Sequence, residues 1–352
     1  MKLADFDYEL PPELIALRPC KPRDSSRLLV VNSSGSYEDA RFSDLPKLLR
    51  RGDVLIFNDS KTIPAALIGV RPPRDDKSPQ IKVRVNLHKK ISACEWLAFV
   101  KPAKRVMIGD LLHFANDLNA IIKSKNEGGE VLLAFNKNGA DLVAALETVG
   151  KMPIPPYIGQ KRAVDELDIV DYQTIYGKPQ GSVATPTAGL HFTSNLMEKL
   201  ADMGIEIHFV TLHVGAGTFL PVKTENILEH KMHSEYFELS AETARAINAA
   251  KAVNRRIICV GTTSLRVLES AADEKGMLHE YFGETYIFLY PGKSIKIVDG
   301  LISNFHLPKS TLLMLMCAFS GTEIVKSAYQ HAIHAKYRFF SYGDAGLWWR
   351  QG

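Results

Sequence analysis

The 352-residue sequence predicts an α/β domain, a mixed sheet flanked by helices, with an inserted β-barrel-like domain. Residues 54–57 and 257–260 are continuous apolar runs, which is typical of short strands buried on both faces. Residues 81–88 instead alternate apolar and polar side chains, as a half-buried strand does. From residue 171 onward, helical and strand patterns alternate. We therefore predict an α/β domain over 1–59 plus 153–352 and a barrel insertion over 60–152.

The predicted insertion is a series of short strands that ends in one helix. Residues 71–79 are rich in proline and charge and indicate a loop before the alternating strand. Residues 127–129 (EGG) are typical of a hairpin turn. A helix is predicted over 141–149, with Gly150 in the C′ position that glycine favours. The later strands of the insertion are predicted at 96–100, 110–114, 120–123 and 131–135.

Hydroxyl side chains predict where the helices of the α/β domain begin, because they accept hydrogen bonds from the first free amide groups. Thr193 precedes a helix that Gly204 ends, and a strand follows over 205–214. The other predicted caps are Ser240 for a helix over 241–254, Ser310 for 311–319, and Thr322 for a helix that runs to about residue 337.

Composition is that of a globular protein: 46% of the residues are hydrophobic, 23% are charged, and the net charge is +4. The longest apolar run, 312–319, is far below the roughly 20 residues that a bilayer requires. The N-terminus has no apolar signal region, and the four cysteines form no Cys-x-x-Cys pair. We therefore expect a cytoplasmic protein without disulfides. The charge is compatible with an RNA partner but does not require one.

Histidine-bearing loops are the first candidates for chemistry. His213 lies where a strand becomes the glycine-containing loop 211–219 (TLHVGAGTF), which is either a ligand loop or a tight turn. His191 lies in 186–192 (PTAGLHF), and His306 lies in 304–308 (NFHLP). His233 and Glu235 are two positions apart in MHSE and suit an acid/base pair. Zinc is the rival reading, but neither His230 with His233 nor His331 with His334 has a third ligand, so we predict no metal site.

A second kind of candidate suits anions. Residues 261–264 (GTTS) follow a buried strand and begin a helix, so amide groups and hydroxyls face whatever lies over the helix start. Arg266 suits a carboxylate or phosphate there; the alternative is an ordinary capped helix with a solvated Arg266. Arg338, among the aromatic residues of 337–344, suits either base stacking or a packed core. Basic residues that suit a polyanion, or simply a solvated surface, are Arg18, Arg23, Arg27, Lys101, Lys104 and Arg105.

Several segments become more specific when their order along the chain is considered. They are 57–61 (FNDSK), 172–174 (YQT), 186–192 (PTAGLHF), 213–219 (HVGAGTF), 232–235 (MHSE), 261–264 (GTTS), 304–308 (NFHLP) and 339–344 (FFSYGD). In this order the chain resembles the S-adenosylmethionine:tRNA ribosyltransferase-isomerases of queuosine biosynthesis over nearly its whole length. Ala66 departs from the pattern, since the family is expected to have arginine there, and a phosphate contact is lost with it.

The resemblance implies an enzyme whose partner is a tRNA carrying 7-aminomethyl-7-deazaguanine at the wobble position. The ribosyl part of S-adenosylmethionine is attached and isomerised, which gives epoxyqueuosine-tRNA, adenine and methionine. S-adenosylmethionine is then a co-substrate, no cofactor is required, no membrane is involved, and we expect a monomer. The family's pairing of an α/β domain with a β-barrel agrees with the pattern described above.

The same resemblance implies roles for the candidate residues. The acid/base set is His191, His213, His233, Glu235 and His306. Thr262, Thr263 and Arg266 hold the methionine carboxylate or another anion, and Asp59 and Asp344 contact the aminomethyl group or ribose hydroxyls. The basic residues named above, with Arg338, contact RNA.

Two other readings stay open at this point. A non-catalytic RNA-binding module would not need histidine loops in the α/β part. A methyltransferase would be expected to show an acidic-Gly-x-Gly-x-Gly loop, which this sequence lacks.

Overall fold

The computed structural model describes residues 1–126, 129–215, 217 and 222–351. Its strands form a nine-stranded mixed sheet, a closed six-stranded barrel and a short parallel pair, which confirms the predicted fold class. Numbered along the chain, the strands are β1 (Arg27–Val31), β2 (Tyr37–Arg41), β3 (Val54–Asn58), β4 (Lys61–Thr62), β5 (Ala66–Arg71), β6 (Ile81–Lys90), β7 (Glu95–Lys101), β8 (Leu111–His113), β9 (Asn119–Lys125), β10 (Glu130–Phe135), β11 (Gln180–Ser182), β12 (Glu206–Leu212), β13 (Glu235–Leu239), β14 (Ile257–Val260), β15 (Tyr281–Thr285), β16 (Gly300–Asn304) and β17 (Ala345–Trp349).

The large sheet has a parallel centre. Its strand order is β15-β13-β12-β3-β14-β16-β17-β1-β2. Strands β12, β3, β14 and β16 are mutually parallel, whereas β13 and β15 are added antiparallel at one side. The carboxyl ends of four neighbouring strands therefore meet at one edge.

Helices cover both faces of the sheet centre. In chain order the α-helices of the described residues are α1 (Leu45–Leu48), α2 (Gly139–Val149), α3 (Pro156–Gly159), α4 (Leu167–Asp171), α5 (Ser194–Asp202), α6 (Ala241–Ala252), α7 (Thr262–Ala271), α8 (Thr311–Ser320) and α9 (Thr322–His334). Val54 and Ile56 pack in a core with α6 to α9, and Leu55 and Phe57 pack in a second core with α5. Because both faces are buried, the strand is apolar throughout, as the sequence predicts.

The barrel strands follow the order β10-β7-β6-β5-β8-β9, and β9 pairs with β10 to close it. Val83, Val85 and Leu87 of β6 are buried inside, which confirms the predicted alternation. Leu142 and Leu146 of α2 pack into the same core. The predicted turn at 127–129 lies partly outside the described residues. The exact domain boundaries, 60 and 152, stay a prediction.

Two local predictions need correction. Gly150 follows α2 as predicted, but its backbone is extended, with φ −80° and ψ 162°, rather than left-handed. Glycine is needed there because a Cβ would lie 2.0 Å from the carbonyl oxygen of Pro64. Thr322 is the first residue of α9 rather than its cap, which is Gly321. The caps predicted at Thr193, Ser240 and Ser310 are confirmed, since each side chain accepts a backbone amide bond.

No single helix of the described residues is long and apolar enough to cross a bilayer. Helices α8 and α9 reach that length and composition only together, and their axes are bent by 114° at the break between them.

Candidate active site

The parallel strands carry several predicted motifs to one edge of the sheet. Asn58 joins two of these strand ends, since its side-chain amide exchanges hydrogen bonds of 3.0 Å with both the N–H and the C=O of Leu212. Open α/β sheets bind ligands at the carboxyl ends of their parallel strands. The loops that leave this edge contain Asp59, His213, the 261–264 motif and the 304–308 motif.

Three cavities lie near this edge, and we call them the inner, central and outer cavities. The inner cavity, about 80 Å³, lies over the ends of β14 and β16 and includes the starts of three predicted motifs. Its walls are residues 184–188, Val214, 261–263, 303–307 and Leu312, with Tyr157, Phe340 and Ser341. Loops far apart in sequence therefore converge, as a shared ligand site requires.

Helix α7 begins in the wall of the inner cavity. Thr262 and Thr263 form its first turn, where backbone amide groups lack intrahelical partners. The hydroxyl of Thr263 is buried and has no hydrogen-bond partner among the described residues. The first turn of α7 therefore offers free donors to an anion or a polar group.

Two predicted histidines lie near this cavity in different surroundings. His306 lines it, and its Nε2 lies 2.8 Å from the hydroxyl of Ser303. Burial lowers the pKa of His306 to about 3, so its imidazole is neutral at pH 7. His191 lines none of the three cavities; burial is the main cause that lowers its pKa to about 3, and the positive charges of Arg338 and Arg23 lower it further.

The contacts of His191 are those of a core residue. Its Nδ1 lies 2.7 Å from the hydroxyl of Ser26, and its Nε2 lies 3.2 Å from the side-chain amide of Asn304. Its ring stacks on Phe42 at 4.8 Å. Both ring nitrogens are occupied within the protein, so the structure favours packing over proton transfer for His191.

The central cavity, about 160 Å³, lies between the barrel and the sheet. Its polar wall includes His233, Glu235 and Arg266 from the α/β domain and His88, Lys89 and Glu130 from the barrel. Leu312 lines both this cavity and the inner one, so the two are neighbours.

A buried ion pair forms the floor of the central cavity. Arg266 Nη1 binds Glu235, and Glu235 also accepts the amide of Gly215 at 3.0 Å. Arg266 is 5% exposed, yet its Nε and Nη2 have no hydrogen-bond partner among the described residues. Buried guanidinium donors that lack partners are costly and suit an incoming anion.

The loop after β12 approaches His233 closely. A Cβ on Gly217 would lie 2.9 Å from atoms of His233, so glycine is needed at this contact. His233 itself is exposed toward the cavity region. Other residues of the predicted glycine-containing loop (216, 218 and 219) lie outside the described residues.

The barrel supplies site residues that the sequence did not single out. His88 Nε2 lies 2.8 Å from Glu130, and its ring stacks on Phe99 at 4.6 Å. Burial lowers the pKa of His88, although the charge of Glu130 opposes the shift. In the alternating pattern, position 88 points out of the barrel, and there Phe99 and Glu130 of the barrel and residues of the α/β domain surround it.

The outer cavity, about 430 Å³, continues from the central one, and His88, Lys89, Gly215, Ser234 and Glu235 line both. Its further walls are residues 90–92, Gln180, Gly181, His213, Tyr236, Glu238 and Glu284. Burial, with the charge of Lys90, lowers the pKa of His213 to about 4. The structure thus brings His213, His233, Glu235 and His306 to one row of neighbouring cavities, together with Thr262, Thr263 and Arg266.

Asp344 lies outside this row. Its Oδ1 accepts the amide of Arg27 at 3.0 Å, and its Oδ2 accepts the amide of Arg338 at 2.8 Å. A carboxylate that is 2% exposed and holds two loops together is poorly placed for substrate. Asp59 is half-buried and lines none of the three cavities; its Oδ1 accepts a hydrogen bond from the hydroxyl of Thr211 at 2.7 Å.

The predicted RNA contacts divide into two groups. Four guanidinium groups have partners within the protein, which makes them less available to phosphate. Arg18 pairs with Asp165, Asp168 and Asp171; Arg23 donates to the carbonyls of Val170 and Gln173; Arg27 pairs with Asp39 and lies over Tyr337; and Arg338 contacts Asp344 and Cys20. Lys101, Lys104 and Arg105 are exposed at one end of β7 on the barrel.

A larger cavity, about 500 Å³, lies between residues 5–9 and helices α8 and α9. It contains none of the predicted site residues. In the described part of the chain, no group of three or more His, Cys, Asp or Glu residues is placed to hold a metal ion.

Comparisons with known proteins agree with this arrangement. A family model described as "Queuosine biosynthesis protein" matches residues 3–348. Curated proteins named S-adenosylmethionine:tRNA ribosyltransferase-isomerase match the full length: that of Phenylobacterium zucineum is 54% identical over 99% of this chain and 100% of its own. That of Maricaulis maris is 54% identical over 99% of each chain.

A solved structure gives the same indication. The crystal structure of S-adenosylmethionine tRNA ribosyltransferase from Thermotoga maritima is 34% identical, with a TM-score of 0.55, and covers 97% of this chain and 99% of that one. Fold and sequence thus lead to the same group of proteins.

Proposed function

The chain belongs to the S-adenosylmethionine:tRNA ribosyltransferase-isomerase family of queuosine biosynthesis, and from that premise we propose that it acts on the tRNA wobble position. Its substrate there is 7-aminomethyl-7-deazaguanine. The enzyme attaches and isomerises the ribosyl group of S-adenosylmethionine and releases epoxyqueuosine-tRNA, adenine and methionine. S-adenosylmethionine is the co-substrate, no cofactor is required, and the enzyme works as a cytoplasmic monomer.

The observation that carries this proposal is the row of neighbouring cavities at the carboxyl edge of the sheet, of which the central and outer ones also have barrel residues in their walls. A transfer between two substrates requires both to be held side by side, and the three cavities lie along one edge with shared or adjoining walls. Histidine, glutamate and arginine side chains reach this row from both domains.

The methionine carboxylate is proposed to bind near the start of α7. Thr263 Oγ1 is buried and without a partner among the described residues, and so are two nitrogens of Arg266, one turn later on the same helix. An anion there would pair with the guanidinium and the free amide groups of the first turn.

Acid/base work is proposed for His213, His233, Glu235 and His306. The sulfonium acidifies the neighbouring C5′ position, so a general base can remove that proton. Adenine leaves more easily when its ring nitrogens receive hydrogen bonds. A neutral imidazole has one donor and one acceptor, and the low pKa values of His213 and His306, about 4 and about 3, keep both neutral at pH 7. We propose no acid/base role for His191, because its contacts are those of a packed core residue.

RNA contacts are proposed first for Lys101, Lys104 and Arg105, which are exposed. The contacts proposed for Arg18, Arg23, Arg27 and Arg338 would require each guanidinium to exchange or share its present partners. Asp59 is proposed to face the aminomethyl group.

The direct test is product analysis. The protein is incubated with S-adenosylmethionine and tRNA bearing 7-aminomethyl-7-deazaguanine, and free adenine is measured together with the mass of the wobble nucleoside. We expect adenine in equal amount to epoxyqueuosine. The matched control is the same tRNA with guanine, which should release no adenine; a labelled methyl group found on the RNA would contradict the proposal.

A further inference from the structure

The outer cavity lies against a face of the sheet that helices leave uncovered. Buried Phe237 and Leu239 of β13 point to the helical side, so Tyr236 and Glu238 point to the other. The register pairs Glu238 with Phe282 of β15, which places both on the same face. Tyr236 is 39% exposed and Phe282 is 55% exposed. Exposed aromatic rings beside a cavity suit a planar ligand.

Carboxylates of two strands lie together on this face. Thr211 of β12 is paired with Glu238 of β13, and its hydroxyl donates to Asp59 at 2.7 Å. The two acids interact: burial is the main cause that raises the pKa of Asp59 and the charge of Glu238 raises it further, whereas the hydrogen bond from Thr211 and the positive charge of Lys178 lower it. Two neighbouring negative charges favour a cation between them.

Among the described acidic side chains that line the central and outer cavities, Glu238 is the one that has no cationic partner. In the central cavity Glu235 pairs with Arg266, and Glu130 lies 2.8 Å from His88. In the outer cavity Glu284 pairs with Lys89 at 2.7 Å. Among the described residues Glu238 makes no ion pair; its neighbour is the hydroxyl of Tyr236, whose pKa rises mainly through desolvation and further through that carboxylate.

A stacking surface lies next to these charges. The rings of His213 and Tyr236 are nearly parallel, with centroids 6.3 Å apart and an angle of 14°. Unstacked bases of RNA are commonly held on such aromatic faces. The cavity therefore combines a flat aromatic wall with a carboxylate that has no cationic partner.

We propose that the outer cavity binds the wobble base, with the ring against Tyr236 and the ammonium of the aminomethyl group at Glu238. Asp59, which follows β3 on the other side of β12, adds a second negative charge. This inference rests on the proposed function, because that function supplies the aminomethyl group, a primary amine that is protonated at pH 7 as lysine is. The base then lies next to the central cavity, where His233 and Glu235 face the co-substrate.

The test compares two anticodon stem-loop RNAs that differ only in the ammonium. One carries 7-aminomethyl-7-deazaguanine at the wobble position, and the other carries 7-methyl-7-deazaguanine. Wild-type protein should bind the first roughly 10- to 100-fold more tightly, as expected for one hydrogen bond to a charged group. Kd is measured by fluorescence anisotropy at one fixed salt concentration, because RNA affinity depends on salt.

Glu238→Gln removes the charge and keeps the shape. We expect the variant to bind the two RNAs with Kd values within about threefold of each other, while the Kd of the neutral RNA stays the same as for wild type. Glu238→Asp keeps the charge and should keep part of the preference. The matched control is Glu280→Gln, an exposed glutamate just before β15 that does not line the cavity, and it should behave as wild type.

A second variant tests the stacking wall. Tyr236→Leu should weaken the binding of both RNAs by a similar factor, roughly 5- to 100-fold, and leave the preference for the aminomethyl RNA intact. A Glu238→Gln protein with the wild-type unfolding midpoint and the wild-type preference would overturn the inference, and so would a wild-type protein without preference. Adenine release by wild type on the aminomethyl RNA is measured in parallel: its absence would overturn the proposed function itself.

Discussion

His191 and His233 belong to one acid/base set in the sequence, but the structure gives the two imidazoles opposite surroundings. His191 is 5% exposed and holds Ser26 and Asn304, whereas His233 is exposed at the central cavity. Residue type and loop context are the same for both. What differs is which chain segments surround each ring, and that is a tertiary property.

We expect His233→Ala to lower the rate of adenine release by on the order of 10²–10⁴, as for the loss of a general acid or base. Its free energy of unfolding should stay within about 0.5 kcal/mol of wild type, because the side chain is exposed. Rates are measured under single-turnover conditions, and stability by urea unfolding.

His191→Ala is the contrasting variant. It should lose about 1–3 kcal/mol of stability, because buried partners are left without a hydrogen bond. The rate per folded molecule should stay near that of wild type. A hundredfold loss of rate at unchanged stability would return His191 to the catalytic residues.

At the scale of single elements, helix starts follow the sequence well. Thr193, Ser240 and Ser310 each cap a helix through a bond to an amide two or three residues away. Such contacts are local, so neighbouring residues suffice to predict them. Gly150 is different: the reason for glycine there is the carbonyl of Pro64, which is distant in sequence.

We expect Gly150→Ala to destabilise the protein by about 1–3 kcal/mol, since the new Cβ would overlap the Pro64 carbonyl and force the backbone to move. The urea midpoint measures the effect. Gly159→Ala is the matched control at the end of α3, where nothing lies within 4 Å of the added carbon, and it should be neutral or slightly stabilising. Equal midpoints for the two variants would contradict this account of Gly150.

In the molecule as a whole, the central and outer cavities form where the barrel docks beside the carboxyl edge of the sheet. Lys89 at the end of β6 donates to Ser234 at 2.6 Å and pairs with Glu284, so barrel and sheet are joined at the cavities themselves. Lys101 pairs with Arg84, several residues along β6 from His88, so an RNA that contacts the exposed basic residues must extend along the barrel from the outer cavity. These residues are the phosphate contacts to test first.

We expect Lys101→Gln, Lys104→Gln and Arg105→Gln each to reduce the slope of log affinity against log salt by about one, as each removes a phosphate contact. Stem-loop RNA is titrated at four or more salt concentrations. Lys275→Gln, an exposed lysine of the α/β domain outside this cluster, is the control and should keep the slope. Unchanged slopes in all three barrel variants would place the docking surface elsewhere.

Local patterns in the amino-acid sequence were enough to predict the fold class, the family, three helix caps and about half of the strands, whereas strands such as β1, β13 and β17 were missed. Buried strands 54–57 and 257–260, the alternation in 81–88 and the order of the motifs depend on short-range patterns that the chain carries wherever it folds. The meeting of His213 and His306 also follows in outline, because both come after parallel strands and therefore share one edge. His233 and Glu235 reach the same edge because β13, which begins at Glu235, runs antiparallel to β12.

Which polar side chains face a cavity depends instead on contacts between segments that are distant in sequence. In the sequence, His88 and Glu238 are outward positions of ordinary strands. In the structure, His88 faces the other domain and Glu238 lies on an uncovered face of the sheet, and both line a cavity. The sequence predicts surface or substrate contacts for five residues that the structure pairs with partners mostly over 100 residues away. These are Arg18, Arg23, Arg27, Arg338 and Asp344. A charge or an imidazole acquires its role from its neighbours, and those neighbours come from segments that meet only when the chain is folded.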